Sequence, residues 1–246
     1  MARRHEYDQH FLRSPKFVAE LIGHSNVKKR DTVYDFGAGS GVIASVLARR
    51  VSHVVAVERE PAALEKLHNN LDDVENCVIV EADILETPLP DTSYKVFSKP
   101  PFSLSAKLLQ RIALSDTPAE AIYLIVQRQF ARKIVPSDQH FTSALGSKLA
   151  LRYEARIRRP LKRTDFTPPP AVDTVLLELK RREEPLALLS DLLAIDALID
   201  KTFHNPQTVS RHIYSKAGIS SEKKPSELTP SEWCALYKQF AIATRG

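Results

Sequence analysis

Along the first 130 residues, short apolar runs alternate with stretches whose apolar positions recur every three or four residues. That alternation is the pattern of strands that cross over through helices into a parallel sheet. Buried strands are expected at TVYDF (32–36), HVVAVE (53–58), NCVIVEAD (76–83), YKVFS (94–98) and AIYLIV (121–126). Helices fit between them. The first opens at Ser14-Pro15, where a serine can cap and a proline is pre-set for the first turn. Others are expected over 42–50, 61–71 and 105–114. Two later runs, SKLALRY (147–153) and VDTVLLELK (172–180), read as strands with no helical pattern between them, so the sheet should end in an antiparallel, hairpin-like pair. The class is α/β.

From about Pro185 the period changes. PLALLSDLLAIDALIDKTF sets Leu188, Leu189, Leu192, Ile195 and Ile199 at helical spacing and predicts one buried stripe. A helical tail follows, and its last helix starts at Thr229-Pro230-Ser231-Glu232, a capping box with proline at the first helical position. Trp233, Leu236, Tyr237 and Phe240 then share a face. A main domain over 1–182 and a small helical one over 183–246 are expected.

At 246 residues and 43% hydrophobic content the chain can bury a sizeable core. No apolar run approaches the roughly 18 residues a bilayer span needs, and the opening MARRHEYDQH has no hydrophobic centre, so neither a signal nor a transit peptide is expected. Cys77 and Cys234 are too few and too far apart for a disulfide framework or a zinc ribbon. They read as buried thiols of a reducing cytoplasm, and no metal is expected. The net charge of +5 permits nucleic-acid binding without demanding it. Its distribution says more: RYEARIRRPLKR (152–163) carries six cations against Glu154. A solvated basic edge is the plain alternative.

Gly37, Gly39 and Gly41 follow the first long strand with G-x-G-x-G spacing. Glycines there let the chain turn tightly and let a ligand approach the backbone ahead of a helix. Glu58 ends the next strand, where a carboxylate can accept from both hydroxyls of a ribose, and Asp83 ends the one after. Taken singly, each has an ordinary explanation as a turn, an ion pair or a cap. Successive strands that end in a glycine turn and two acids place all three beside the crevice where open parallel sheets bind ligands. A Pro-Pro-aromatic loop, Pro100-Pro101-Phe102, follows the fourth strand. A nicotinamide enzyme has no use for such a loop and an enzyme methylating a planar amino group does, so S-adenosylmethionine is preferred to NAD.

In order along residues 8 to 180, Gln9-His10-Phe11-Leu12, DFGAGSG (35–41), Glu58, Asp83, Pro100-Pro101-Phe102, VQRQFARK (126–133) and FTPPPAVD (166–173) resemble the rRNA adenine N6-dimethyltransferases. VQRQFARK and the short tail look closer to the Erm enzymes of macrolide-lincosamide-streptogramin resistance than to the small-subunit enzymes of the KsgA type. The resemblance implies a Rossmann-like class I methyltransferase sheet with helices on both faces, a C-terminal helical RNA-recognition domain, and S-adenosylmethionine as cofactor. It implies cofactor contacts at Gln9, His10, Leu12, Gly37, Gly39, Gly41, Glu58, Asp83 and Lys99, with Glu58 on the ribose and Asp83 on the cofactor's adenine amino group. The catalytic loop is Lys99, Pro100, Pro101 and Phe102. Phe102 would stack the extruded base, and Phe166 would form a second wall.

Adenine N6 is a weak nucleophile, because its lone pair is delocalised into the ring. Accepting hydrogen bonds from its protons and holding it in line with the methyl group improve it. The resemblance places an asparagine at the head of the loop, and this chain has Lys99. An ammonium has three donors and no acceptor. Three roles stay open: Lys99 turns away and leaves the work to backbone carbonyls, it loses its proton and accepts, or methyl transfer is lost or altered and RNA binding kept.

RNA contact is assigned to Phe102, Phe166, Arg128, Arg132, Lys133, Arg158, Arg159 and Arg163, because cations that neutralise phosphates supply affinity while the pocket selects the base. The partner implied is rRNA, 23S before 16S, met before full subunit assembly by a cytoplasmic monomer, with neither membrane nor metal. A non-catalytic ribosome-assembly factor, an adenine-specific DNA methyltransferase and a dinucleotide oxidoreductase are the rival readings.

Overall fold

A computed structural model describes residues 10–136 and 142–245. The elements in chain order are β1 (Phe11–Leu12), α1 (Pro15–Gly23), β2 (Thr32–Phe36), α2 (Val42–Ala48), β3 (His53–Glu58), α3 (Pro61–Leu71), β4 (Cys77–Glu81), β5 (Lys95–Ser98), α4 (Ser105–Ala113), β6 (Ala121–Gln127), α5 (Arg128–Ile134), α6 (Ala144–Arg152), β7 (Tyr153–Leu161), β8 (Phe166–Thr167), β9 (Thr174–Arg181), α7 (Leu189–His204), α8 (Arg211–Lys216) and α9 (Pro230–Arg245).

Seven strands form one sheet in the order β4-β3-β2-β5-β6-β9-β7. From β4 to β6 all pairings are parallel, and β9 runs antiparallel beside β6 with Ala121 opposite Lys180 and Gln127 opposite Thr174. Strand β6 is buried on both faces, which is why its sequence is a continuous apolar run rather than an alternating one; β5 is equally buried, its Lys95 paired with Asp31. The chain winds outward from β2 to β4 and then returns to add β5 on the other side of β2. That reversal opens a crevice between the carboxyl ends of β2 and β5.

Local signals explain several boundaries. The Ser14 hydroxyl accepts from the Phe17 N–H at the start of α1, a cap worth about 1 kcal/mol. At α9 the Thr229 hydroxyl accepts from the Glu232 N–H (3.2 Å) and the Glu232 carboxylate accepts from the Thr229 N–H (2.8 Å), completing the capping box.

Three expectations differ from the structure. SKLALRY lies in helix α6 up to Arg152, and only Tyr153 begins a strand. The Ser143 hydroxyl caps that helix by accepting from the Gly146 N–H at 3.1 Å. Residues 146 to 151 are all buried, so α6 shows no amphipathic stripe, and Leu149, Leu151 and Tyr153 imitate a period of two. In α7 the buried stripe is Leu192, Ile195, Leu198, Ile199 and Thr202, whereas Leu188 and Leu189 are 71% and 75% exposed. Both cysteines are half-buried rather than buried.

The chain divides into two compact units, Met1–Ala131 with Arg156–Lys180, and Arg132–Ala155 with Arg181–Gly246. The second therefore gathers α6 as well as the tail expected after residue 182. Its core surrounds Trp233, stacked on Phe203 at 6.2 Å between ring centroids, with Leu151, Leu192 and Leu236. Within it Lys148 pairs with Asp200, and Arg152 meets Asp196 with two nitrogens at 3.0 and 2.8 Å. Both pairs follow the i, i+4 spacing of facing helices. No helix among the described residues is long and apolar enough to cross a membrane.

Candidate active site

The site lies in the first unit, at the carboxyl end of the parallel strands. Gly37, Gly39 and Gly41 all have positive φ (79°, 57° and 86°), a backbone that side-chain-bearing residues rarely adopt. The N–H groups of Gly37 and Ala38 both donate to the Val57 carbonyl, so the turn hangs from β3. A Cβ placed on Gly37 would lie 3.4 Å from Pro101 Cδ and 3.6 Å from Pro100 Cα. The glycine turn and the Lys99–Phe102 loop therefore face each other across the crevice. Ser98 helps to hold this register: its buried hydroxyl accepts from the Phe36 N–H (2.8 Å) and donates to the Tyr34 carbonyl (3.3 Å).

Glu58 grips the turn. One carboxylate oxygen accepts from the Gly39 N–H (2.8 Å), the other from the N–H groups of Arg59 (2.8 Å) and Glu60 (2.9 Å). A carboxylate has about four acceptor directions, so Glu58 keeps about one for an incoming hydroxyl rather than the two expected of it. Asp83 accepts from the Leu85 N–H and pairs with Arg59 at 2.6 Å. Arg59 thus pairs with Asp83 rather than Glu58 and links the ends of β3 and β4.

Phe102 is half-buried between two cationic or titratable neighbours. Lys99 Nζ lies 5.4 Å from its ring centroid, and the His10 ring lies 6.0 Å away at 33°. His10 is held by a 2.8 Å bond between Nδ1 and the Pro168 carbonyl, and β1 pairs antiparallel with β8 so that Leu12 faces Phe166. That small clasp joins residues more than 150 positions apart. Gln9 lies outside the described residues. Leu12 is buried in the core, and Phe166 is 0% exposed in the same cluster. Phe166 therefore offers no face to a base, and the second ring beside Phe102 is His10. The reason is the pairing of β8 with β1, which turns Phe166 inward.

Asp35 is the residue that sequence reasoning missed, although it stands in the glycine motif. It is 0% exposed, and neither carboxylate oxygen has a hydrogen-bond partner of normal geometry. Burial first, then the nearby Glu58 charge, pushes its pKa up to about 8, against the opposing pull of Ser98, the Ala44 amide and Lys99. The available signal was an acid as the penultimate residue of an otherwise buried strand.

The basic residues separate into two groups. Arg158 donates to the His24 carbonyl (2.7 Å) and pairs with Glu178, while Arg159 pairs with Glu20 at 2.7 Å and lies over Phe17. Both are committed within the protein. Arg132 and Lys133 on α5 are exposed, Arg128 at its start is half-buried, and Arg163 makes a loose, exposed 3.5 Å pair with Asp173.

A glycine turn hung between β2 and β3, an acid at the end of each of the next two strands and a Pro-Pro-aromatic loop across the switch point define a class I methyltransferase. The model of the ribosomal RNA adenine dimethylase family matches residues 1–228, and the chain belongs to that family. It is accordingly an adenine-N6 methyltransferase that uses S-adenosylmethionine. An rRNA adenine N-6-methyltransferase of Limosilactobacillus reuteri is 28% identical over 181 residues, 73% of this chain and 72% of that protein. Ribosomal RNA small subunit methyltransferase A of Streptococcus mutans is 28% identical over 231 residues, 89% and 79% respectively. The 23S rRNA methyltransferase ErmE superposes with a TM-score of 0.79 at 22% identity, over 94% of this chain and 99% of that one.

The residues present fit such a cofactor. The three glycines of the turn put no side chains into the cradle, the acids Glu58 and Asp83 border it, and the unpartnered Asp35 carboxyl adjoins it in sequence. An acid-rich cradle suits a cationic ligand. When bound, the cofactor supplies an electrophilic methyl group on a sulfonium.

Proposed function

We propose that the protein methylates N6 of an adenine in 23S rRNA at the macrolide-lincosamide-streptogramin site, as a cytoplasmic monomer acting before the large subunit is complete. The observation that carries the reading is the approach of Gly37 to Pro100 and Pro101, because it lets a donor on the turn and a base on Phe102 meet in one crevice. The choice of 23S over 16S rests on the VQRQFARK run and the short helical tail; the similar proteins include both a small-subunit methyltransferase and a 23S rRNA methyltransferase.

The chain's own groups divide the work. Removing the base from its stack costs a few kcal/mol, and Phe102 offsets part of that by stacking, with His10 beside it. The Pro101 carbonyl already accepts from the Leu104 N–H (3.0 Å) and the Ser105 hydroxyl (3.4 Å). Acceptance of the N6 protons therefore falls to the other backbone carbonyls of the loop, those of Lys99 and Pro100. Lys99 has nothing to accept with while it is charged, and its place over Phe102 carries it out of the acceptor role. Phosphate contact rests on Arg132, Lys133, Arg163 and, in part, Arg128, with affinity that falls as salt rises.

Primer extension on rRNA from cells with and without the gene tests this directly, because dimethylated N6 blocks the pairing edge and halts reverse transcriptase. A gene-dependent stop in the macrolide site of 23S rRNA is expected. A stop confined to 16S rRNA would move the target to the small subunit. The lysine over Phe102 also favours a second reading, rRNA binding with little methyl transfer, which a tritiated-methyl assay beside cofactor calorimetry separates from the first.

A further inference from the structure

Among the described residues of the first unit two acidic side chains, Asp35 and Glu178, are buried, and their surroundings are opposite. Glu178 faces three cations, Arg156, Arg158 and Lys180. Asp35 has no ion pair, and neither of its oxygens has a hydrogen-bond partner of normal geometry, although the Ser98 hydroxyl and the Ala44 amide lie near enough to pull on it. The Ser98 hydroxyl, which adjoins Asp35, spends its proton on Tyr34 and accepts from Phe36. Leaving a carboxylate in that state is costly, so in the ligand-free protein the group is held as the neutral acid.

The position explains why such a residue is kept. Asp35 is in β2, which has a strand on each side, two residues before Gly37 and next to the first turn of α2 through the Ala44 amide. The charged or titratable groups around it are Glu58 from β3, Lys99 from the loop after β5 and Cys77 from β4, whose thiol burial and Asp35 push up to about 11. One ammonium and one carboxylate thus act on Asp35 in opposite senses, and the carboxylate acts more strongly. A ligand that brings positive charge to the glycine turn favours the ionised form of Asp35, and one that brings less charge favours it less. S-adenosylmethionine carries a sulfonium and an ammonium, whereas its demethylated product has lost the sulfonium charge.

We propose that Asp35 is a proton-linked counter-charge of the cofactor cradle: neutral when the cradle is empty, it releases its proton as the cationic cofactor settles, and this favours methyl donor over demethylated product. The proposal rests on the glycine turn being the cofactor site. It adds that binding expels a proton, and that product leaves more readily because Asp35 takes one back.

Isothermal calorimetry on the full chain, in two buffers of different ionisation enthalpy, reads the proton count directly. From pH about 6 to about 8, S-adenosylmethionine affinity should rise by up to about tenfold per pH unit and then level off. Proton release near neutrality should approach one for S-adenosylmethionine and be clearly smaller for S-adenosylhomocysteine. In Asp35→Asn the release should vanish and the preference for donor over product should shrink. Wild-type binding that releases no proton, or a release that persists in Asp35→Asn, would overturn the proposal, while the binding heat separately reports whether the cradle takes the cofactor at all. Should that variant fail to fold, carbon-13 NMR of labelled aspartate in the wild type decides: the Asp35 carboxyl must be protonated without ligand near neutral pH and ionised with S-adenosylmethionine.

Discussion

Gly41 and Gly37 have nearly the same backbone, φ 86° and 79°, yet a methyl group on each would meet different surroundings. At Gly37 the nearest atom would be Pro101 Cδ at 3.4 Å, ordinary contact. At Gly41 it would be Leu67 Cδ1 at 2.7 Å, and Leu67 is fully buried in the core, with Leu71 also within 3.5 Å of the added methyl. Left-handed backbone costs an alanine about 1–2 kcal/mol at either site. Overpacking adds about 1–3 kcal/mol at Gly41 alone. Gly37→Ala should therefore destabilise by about 1–2 kcal/mol and Gly41→Ala by about 2–5 kcal/mol, the latter a fall in melting temperature of about 4–20 °C for a chain of this size. The excess at Gly41 should be relieved by Leu67→Val, which removes the atom in the way. In the double-mutant cycle Gly41→Ala with Leu67→Val should fall short of additivity by about 1–3 kcal/mol. Denaturant or thermal melts followed by circular dichroism measure all four proteins. Equal losses at the two glycines, or strict additivity in the cycle, would refute the packing argument. For ligand binding the order reverses, because a methyl group on Gly37 enters the approach to Pro100 and Pro101. Calorimetry should find cofactor binding weakened more by Gly37→Ala than its small loss of stability suggests.

Lys99→Asn restores an acceptor at the head of the loop and should raise or preserve methyl transfer in a tritiated-methyl assay; complete loss with cofactor binding intact would make the lysine a specific participant. The raised pKa of Asp35 makes the ligand-free protein less stable as pH rises, since the folded chain holds a proton that the unfolded chain has released. The penalty is absent below pH about 4, grows through the window and is complete above about 8, and Asp35→Asn should flatten that slope in melts across pH. Arg152→Ala leaves Asp196 half-buried without its two-pronged partner and should cost about 3 kcal/mol by melting, while replacing both residues with apolar ones of similar size should cost much less. A loss below about 0.5 kcal/mol for the single change would place the pair among surface contacts.

The order of strands β2 to β6 was readable because strands in the middle of a covered sheet are mostly apolar short runs, and because a crossover helix shows its one buried stripe as a period near 3.6. The caps at Ser14 and Thr229 were readable for a similar reason: the hydrogen bonds that make them span only three residues. The glycine turn, Glu58, Asp83 and the Pro-Pro-Phe loop could be placed at one end of the sheet, since parallel strands send all their carboxyl ends the same way. Helix α6 was lost because a helix buried nearly all round carries no period, although Lys148 and Arg152 opposite Asp196 and Asp200 held the i, i+4 spacing that could have revealed it. What only the tertiary structure decided depends on partners distant in the chain. The β1–β8 pairing sends Phe166 inward and sets His10 beside Phe102. Glu20 and Glu178 occupy arginines that look available in sequence. Asp35 takes its character from full burial beside Glu58 with no well-formed hydrogen bond to offset it. A chain's own order encodes period and local bonds; which charge meets which, and which meets none, is settled only when segments far apart in sequence pack together.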